Sequence, residues 1–500
     1  MATFSIENFG CRATDADAAS IRGGLVKNGL QMVESHAAAD LVVLNTCTVT
    51  SAADSQAREA IRKIHRANPA ARILVTGCYA QRAPEELAAL PGVAWVVGNS
   101  HQAEIPSLVR DNQAGLPATL SGTSIREPGG ARNSSQPADF VSVSEICGEG
   151  DSRLRAPARV LIGDVFELME LQAAPSILMA GDRTRPILKV QDGCNNRCAY
   201  CVIPFVRGRS RSLAPDAVIG EVRALVAAGA REIVLSGINL GSYGRDLTPR
   251  ATLASVVGRI LTETDVEQMR FSSIEPRDVT GDFVGMVAES GRLAEHFHVP
   301  LQSGSDRILR AMHRWYRAAQ YAERVETIRR LLPGAAIGAD VIAGFPGETD
   351  EDFKATFDLI ERLPFTYLHV FSFSPRPGTQ EAEPAAAVPA GLRRERARAL
   401  RALGEAKNAA FRTAQAERTL RALTLHRQGE NWTEALTANY LKVRVAGLHA
   451  ANEWLEVRLD ADPLHVHDSC DAREASASPL MESDKQRPAA IARADAAEIV

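Results

Sequence analysis

The stretch Asp192-Gly193-Cys194-Asn195-Asn196-Arg197-Cys198-Ala199-Tyr200-Cys201 sets three cysteines in a C-x3-C-x2-C run. It directly follows the run from Ile187 to Gln191, whose apolar, β-branched character predicts a strand. Three thiolates within eight residues make one compact soft-ligand site, which suits zinc or an iron-sulfur cluster. A structural zinc wants a fourth ligand, yet no His lies between His101 and His296 and no fourth Cys is adjacent. A four-iron, four-sulfur cube held by three cysteines fits better, because one iron is then left open for a substrate or cofactor. Bystander cysteines have no reason to share this spacing.

Downstream of this run the pattern alternates between strands and helices. Strands are expected at Ile187 to Gln191, Glu232 to Ser236, Met269 to Ser273, Phe297 to Leu301, Ala336 to Ala343 and Tyr367 to Phe371, with helices at 215–228, 252–263, 280–289, 305–332 and 350–362. Six strand-helix repeats over residues 186–391 predict an α/β fold, a (βα)6 partial barrel with its site at the carboxyl ends of the strands. Those ends carry small and polar residues: Ser236-Gly237, Ser272 to Pro276, Pro300 to Gly304 and Gly344 to Thr349. Small residues let backbone approach a ligand, and Ser273, Glu275 and Gln302 can fix its hydroxyl and amine groups. Thr349 with Asp352 reads equally well as a capping box for the next helix.

Upstream, residues 1–111 alternate in the same way, with strands at Thr3 to Ile6, Leu41 to Asn45, Arg72 to Thr76 and Ala94 to Gly98, which favours a parallel sheet covered by helices. Cys11, Cys47 and Cys78 each follow one of these strands. In a parallel sheet those positions share one edge, so three soft ligands there predict a second three-cysteine cluster. Residues 112–185 read as a linker or insertion: 112–138 is rich in Gly, Ser, Pro and Asn, and 139–185 has mixed signals. Residues 392–470 begin with an Arg-rich helix, 392–416, and continue through Thr419 to His426, Tyr440 to Val445 and Trp454 to Leu459, enough for a small β-barrel of the nucleic-acid-binding kind. Between 393 and 427 ten Arg or Lys face three Glu, a local charge of +7 in a chain whose total is −4. The tail, 471–500, has Ala, Ser and charge without period and is expected to be disordered.

With 500 residues the chain should hold about three domains, and 45% hydrophobic with 24% charged residues exclude collagen, fibrous chains and disorder throughout. No apolar run approaches the length of about 20 residues that spans a bilayer. The first residues lack a basic segment followed by an apolar stretch, so a cytoplasmic protein with no membrane partner is expected.

The C-x3-C-x2-C run resembles that of the radical S-adenosylmethionine superfamily. The segments Gly10-Cys11-Arg12, Asn45-Thr46-Cys47-Thr48-Val49-Thr50 and Val75-Thr76-Gly77-Cys78-Tyr79-Ala80-Gln81 widen the likeness to the methylthiotransferases, over residues 1–110 and 185–460. The resemblance implies an amino-terminal domain, a radical S-adenosylmethionine barrel and a carboxyl-terminal TRAM-like barrel. It implies two [4Fe-4S] clusters, one on Cys11, Cys47 and Cys78 that carries the added sulfur, the other on Cys194, Cys198 and Cys201 that cleaves S-adenosylmethionine. Ser273, Glu275 and Gln302 then become candidate contacts of that cofactor.

Gln191-Asp192-Gly193-Cys194 and Arg207-Gly208-Arg209-Ser210-Arg211-Ser212 look most like the branch that adds a methylthio group to carbon 2 of N6-threonylcarbamoyladenosine beside the tRNA anticodon. The implied partners are the tRNA anticodon loop and an unidentified electron donor and sulfur donor. Arg207, Arg209, Arg211 and the arginines after residue 392 are expected to share the RNA contact, and Arg277 to meet the substrate carboxylate. Rival readings are a methylthiotransferase for isopentenyladenosine or for a ribosomal-protein aspartate, and a non-catalytic iron-sulfur sensor that binds RNA. Thr14 departs from the family, which commonly has Asn three residues after its first cysteine; Cys147 and Cys470 read as bystanders.

Overall fold

The computed structural model describes residues 2–112, 157–171, 184–381, 386–459 and 490–494. Cys147, Cys470, most of the 112–185 connection and most of the tail after 471 lie outside the described residues. The chain forms two compact units, one of Met1–Glu167 with Phe205–Arg207, the other of Leu168–Pro204 and Gly208–Val500.

The first unit is a six-stranded, all-parallel sheet. Its order is Gln31–Met32, Thr3–Asn8, Leu41–Thr46, Arg72–Gly77, Val93–Val97, Arg159–Leu161. Leu41–Thr46 is buried along its whole length, as expected of a central strand covered on both faces. One face packs Ile61, Ile64 and Leu87, the other Ile21, Leu25 and Trp95. The outermost strands on both edges were not legible: two or three residues give no period to read.

In the second unit, strands Ile187–Asp192, Glu232–Gly237 and Gln268–Phe271 pair in parallel, as do His296–His298, Ala336–Ala343 and Tyr367–Ser372. Bridges Met269 to Leu293 and Ser273 to His298 join the two sets into six successive parallel strands. Helices cover the convex side, where Val218, Val256, Phe283, Val325, Ile337, Val341 and Ile360 form one core. A departure from the expected pattern lies at 305–332, which forms two helices, Asp306–Ala311 and Ala318–Leu331, rather than one. The break holds His313 at φ +57°, a left-handed conformation that stops a helix.

Helix Ala390–Thr413 leads into a closed barrel built from Thr419–Gln428, Trp432–Thr437, Lys442–Ala446, Ala490–Ala494 and Trp454–Leu459. Two of these strands were missed. Ala490–Ala494 also corrects the expectation of disorder for those five residues: Ala-Ile-Ala-Arg-Ala has little apolar signal, yet it slots between Val443–Val445 and Val457–Leu459. The barrel packs on its parent unit through the turn after Thr437. Arg270, fully buried and paired with Glu232 at 2.8 Å, donates to the carbonyls of Thr437 and Ala438, and Tyr440 stacks on His296 at 4.0 Å.

Candidate cluster and cofactor site

In the first unit the parallel register sets Asn8 beside Asn45 and Thr46 beside Gly77, so the three cysteine-bearing ends are neighbours. Cys11 is the N-cap residue of helix Arg12–Lys27, and Cys78 opens helix Cys78–Arg82. Thr14, the departure from the family pattern, donates its hydroxyl to the Cys11 carbonyl at 2.7 Å and so fixes that helix start. Burial, reinforced by the nearby Cys78 and Cys11, pushes the Cys47 thiol up to about 12. Burial raises Cys78 as well, opposed by Arg207. Arg207 Nε donates to Cys78 Sγ at 3.2 Å while its Nη2 pairs with buried Asp17 at 2.8 Å, and Asn99 Nδ2 donates to the same sulfur at 3.6 Å.

In the second unit Gly193 lies at φ +70°, and a Cβ there would stand 1.9 Å from the Arg209 carbonyl, so only glycine admits this tight exit from the strand. Cys194 N then donates to the Gly208 carbonyl at 3.0 Å. The Gln191 amide ties the loop down, donating to the carbonyls of Asp192 and Gly193 and to Ser210 Oγ. Asn239 Nδ2 approaches Cys194 Sγ at 3.9 Å, and Arg314 Nη1 donates to Cys198 Sγ at 3.4 Å. Burial raises the thiols of Cys194 and Cys201, with the other cysteines of the trio adding to it.

In each trio the thiols raised by burial, Cys47 and Cys78 in one and Cys194 and Cys201 in the other, are raised further by a neighbouring cysteine of the same trio. A single zinc would draw its sulfurs to within about 4 Å of each other. Among the described residues only His298, Asp340 and His369 bring three possible ligand atoms within 4.8 Å, so neither cysteine trio is that contracted. The wider spacing and the all-thiolate donors suit an iron-sulfur cube, with cations already placed to offset its negative charge.

The predicted cofactor contacts fall at the same strand ends. Ser273 bridges to His298, and Gln302 sits at φ +65° with its N–H on the Asp340 carbonyl at 2.8 Å. A non-glycine residue in that region costs free energy that the surrounding structure must hold. Glu275 is paired with Arg314. Arg314 was not foreseen, because the sequence reading ran one helix through the break that delivers it. Glu348 is committed to Arg396 at 2.7 Å, and Thr349 forms the capping box with Asp352. Arg277 is exposed and 3.7 Å from Asp278.

The expected RNA contacts need correction. Arg207, Arg211 and Arg396 are buried, at 2%, 6% and 3% exposure, and bind protein groups; burial takes them away from any phosphate. Arg209, Arg394, Arg398 and Arg401 are exposed.

Six parallel strands around a cysteine loop that leaves the first of them match the arrangement expected of a radical S-adenosylmethionine enzyme. Residues 188–360 match the model of the Radical SAM superfamily, and residues 3–98 that of the Uncharacterized protein family UPF0004. The chain is 32% identical over 453 residues, 91% of its length and 99% of the relative's, to the threonylcarbamoyladenosine tRNA methylthiotransferase MtaB of Aquifex aeolicus. It is 33% identical to the Bacillus subtilis protein of that name, with 89% and 91% covered. A tRNA-2-methylthio-N(6)-dimethylallyladenosine synthase of Aquifex aeolicus is 32% identical, over 79% of this chain and 82% of that one. In fold it resembles the radical S-adenosylmethionine methyltransferase TsrM from Kitasatospora setae, at a TM-score of 0.51 and 16% identity over 76% of this chain and 77% of that one.

The chain belongs to the radical S-adenosylmethionine tRNA methylthiotransferases. Membership implies a [4Fe-4S] cluster, S-adenosylmethionine and a tRNA substrate. Among the described residues no helix is long and apolar enough to cross a membrane.

Proposed function

We propose that the protein adds a methylthio group to carbon 2 of N6-threonylcarbamoyladenosine beside the anticodon of tRNA, using two [4Fe-4S] clusters. The observation that supports the substrate is the reach of the likeness: three of the four relatives named for threonylcarbamoyladenosine match 89–92% of the chain and the fourth 79%, at 32–34% identity, against 79–80% for the dimethylallyladenosine synthases at 30–32%. Cys194, Cys198 and Cys201 would hold one cluster and Cys11, Cys47 and Cys78 the other. When bound, such clusters supply the electron that cleaves S-adenosylmethionine and an iron that can carry sulfur.

The chain's own residues prepare these sites. Arg314 sets a cation against Cys198 and orients Glu275, Arg207 does the same for Cys78, and Gln302 is fixed at the barrel mouth by its backbone bond to Asp340. An adenine stacked in an anticodon loop cannot reach such a pocket, so it must leave its stack. The test is turnover of two purified tRNAs by the reconstituted enzyme, read by mass spectrometry of nucleosides. Threonylcarbamoyl-bearing tRNA should gain the methylthio group and isopentenyl-bearing tRNA should not. Equal turnover, or activity only on a ribosomal protein, would overturn the substrate.

A further inference from the structure

On the concave face of the second unit, side chains of three neighbouring parallel strands meet. His296 and His298, then Gly338 and Asp340, then Tyr367 and His369 lie opposite the helix-packed face that carries Phe297, Ile337, Ala339 and Val341. Exposure rises along this face toward the strand ends where Cys194 to Cys201 emerge. His296 and Tyr367 are buried, Asp340 and His369 half-buried, and Phe371 is 39% exposed.

The polar groups form one continuous chain. Tyr367 Oη is hydrogen-bonded to His296 Nε2 at 2.8 Å and to His298 Nδ1 at 3.0 Å. Asp340 Oδ1 accepts from His298 Nε2 at 2.9 Å and from His369 Nδ1 at 3.2 Å. Gly338 makes room for it, since a Cβ there would stand 2.0 Å from the Tyr367 ring. Burial works against the Asp340 carboxylate, but His298 and His369 outweigh it and hold the carboxyl well below its usual range. Asp340 takes the Nδ1 proton of half-buried His369, whose Nε2 has no hydrogen bond among the described residues.

We propose that His298, Asp340 and His369 form the subsite for the polar N6 substituent of the target adenosine, with His369 Nε2 making the direct contact. The proposal rests on the threonylcarbamoyl reading. As imidazolium, Nε2 donates to a carboxylate; as neutral imidazole with Nδ1 protonated, it accepts from a hydroxyl or a urea N–H. A threonylcarbamoyl group offers all three. An isopentenyl group offers none, and covering this face with it would strip water from His369 and Asp340 without replacement, which is the strong form of discrimination.

The experiment measures affinity of the reconstituted full-length enzyme for two otherwise identical tRNAs, with and without the threonylcarbamoyl group. Wild type should prefer the bearing tRNA by at least about 10-fold, the worth of one hydrogen bond to a charged group. In His369→Leu that ratio should fall to near one, and His369→Gln, which keeps a polar end, should give an intermediate value. Iron content at the wild-type level shows that each variant has folded. A wild-type ratio near one, or the wild-type ratio kept in the Leu variant, overturns the proposal, and so does one divalent metal per chain beyond the cluster iron that is lost in His369→Leu. If the Leu variant fails to fold, the Gln variant decides: a wild-type ratio there overturns the subsite and a reduced one supports it. Failure of the substrate reading is distinguishable, since it appears as turnover of isopentenyl-bearing tRNA by the wild-type protein.

Discussion

Arg314 is the residue whose position says most about the chemistry. Its side chain is buried, donates to Cys198 Sγ and pairs with Glu275, so one guanidinium serves both a candidate cluster ligand and a candidate cofactor contact. Replacing it with Leu should shift the potential of the cluster on Cys194, Cys198 and Cys201 to more negative values in a potentiometric titration. The same change should slow cleavage of S-adenosylmethionine about 10- to 100-fold, the range for residues that support metal ligands. An unchanged potential would make Arg314 a structural residue only. The six cysteines stand out in the sequence because their spacing, or their position after a strand, is itself a signal. Arg314 and His369 do not, since a lone Arg inside an expected helix and a lone His inside an expected strand carry no local signal; only the helix break and the cross-strand register bring them to the site.

Among the elements, the strands and helices flanking the cysteines were readable because apolar period and caps agree there. Helix Asp350–Arg362 shows this: Thr349 accepts from Asp352 N, and Asp352 returns the bond to Thr349 N at 3.0 Å. Thr349→Ala should therefore lower stability by about 1 kcal/mol in a denaturant titration, the usual worth of such a cap. No loss would mean that Asp352, held also by Arg307 and Ser305, secures the helix start alone. Short edge strands were illegible for the opposite reason. Arg159–Leu161 is three residues long, and its place is set by pairing with Val97 rather than by its own pattern. Helix Ala390–Thr413 illustrates how composition misleads: its arginines look like one basic face, yet Arg396 and Arg412 point inward.

For the whole molecule, two trios in two separately packed units predict independent clusters. Changing Cys194, Cys198 and Cys201 to Ala should leave about four irons per chain and abolish cleavage of S-adenosylmethionine, whereas changing Cys11, Cys47 and Cys78 should leave cleavage and stop sulfur insertion. Methylthio product from the second variant would refute the role given to the first unit. The thiols raised by burial must lose protons to bind iron, so reconstitution on Cys47 and Cys78 should improve as pH rises from 7 toward 9, and a flat profile would contradict this. For tRNA, exposed Arg394, Arg398 and Arg401 are the fair targets: changing all three to Ala should weaken binding and flatten its salt dependence by up to about one unit of slope for each phosphate no longer neutralised. An unaltered slope would place the RNA elsewhere. Deleting everything after Ala390 is a poorer test, because it strips Arg270 of the Thr437 and Ala438 carbonyls and His296 of Tyr440. For protein engineering this means that the terminal barrel is not a detachable cassette. A graft from another protein would need its own turn with two free carbonyls and a ring at the positions of Thr437, Ala438 and Tyr440, or the recipient would keep a buried guanidinium held by Glu232 alone, with its remaining N–H groups unanswered.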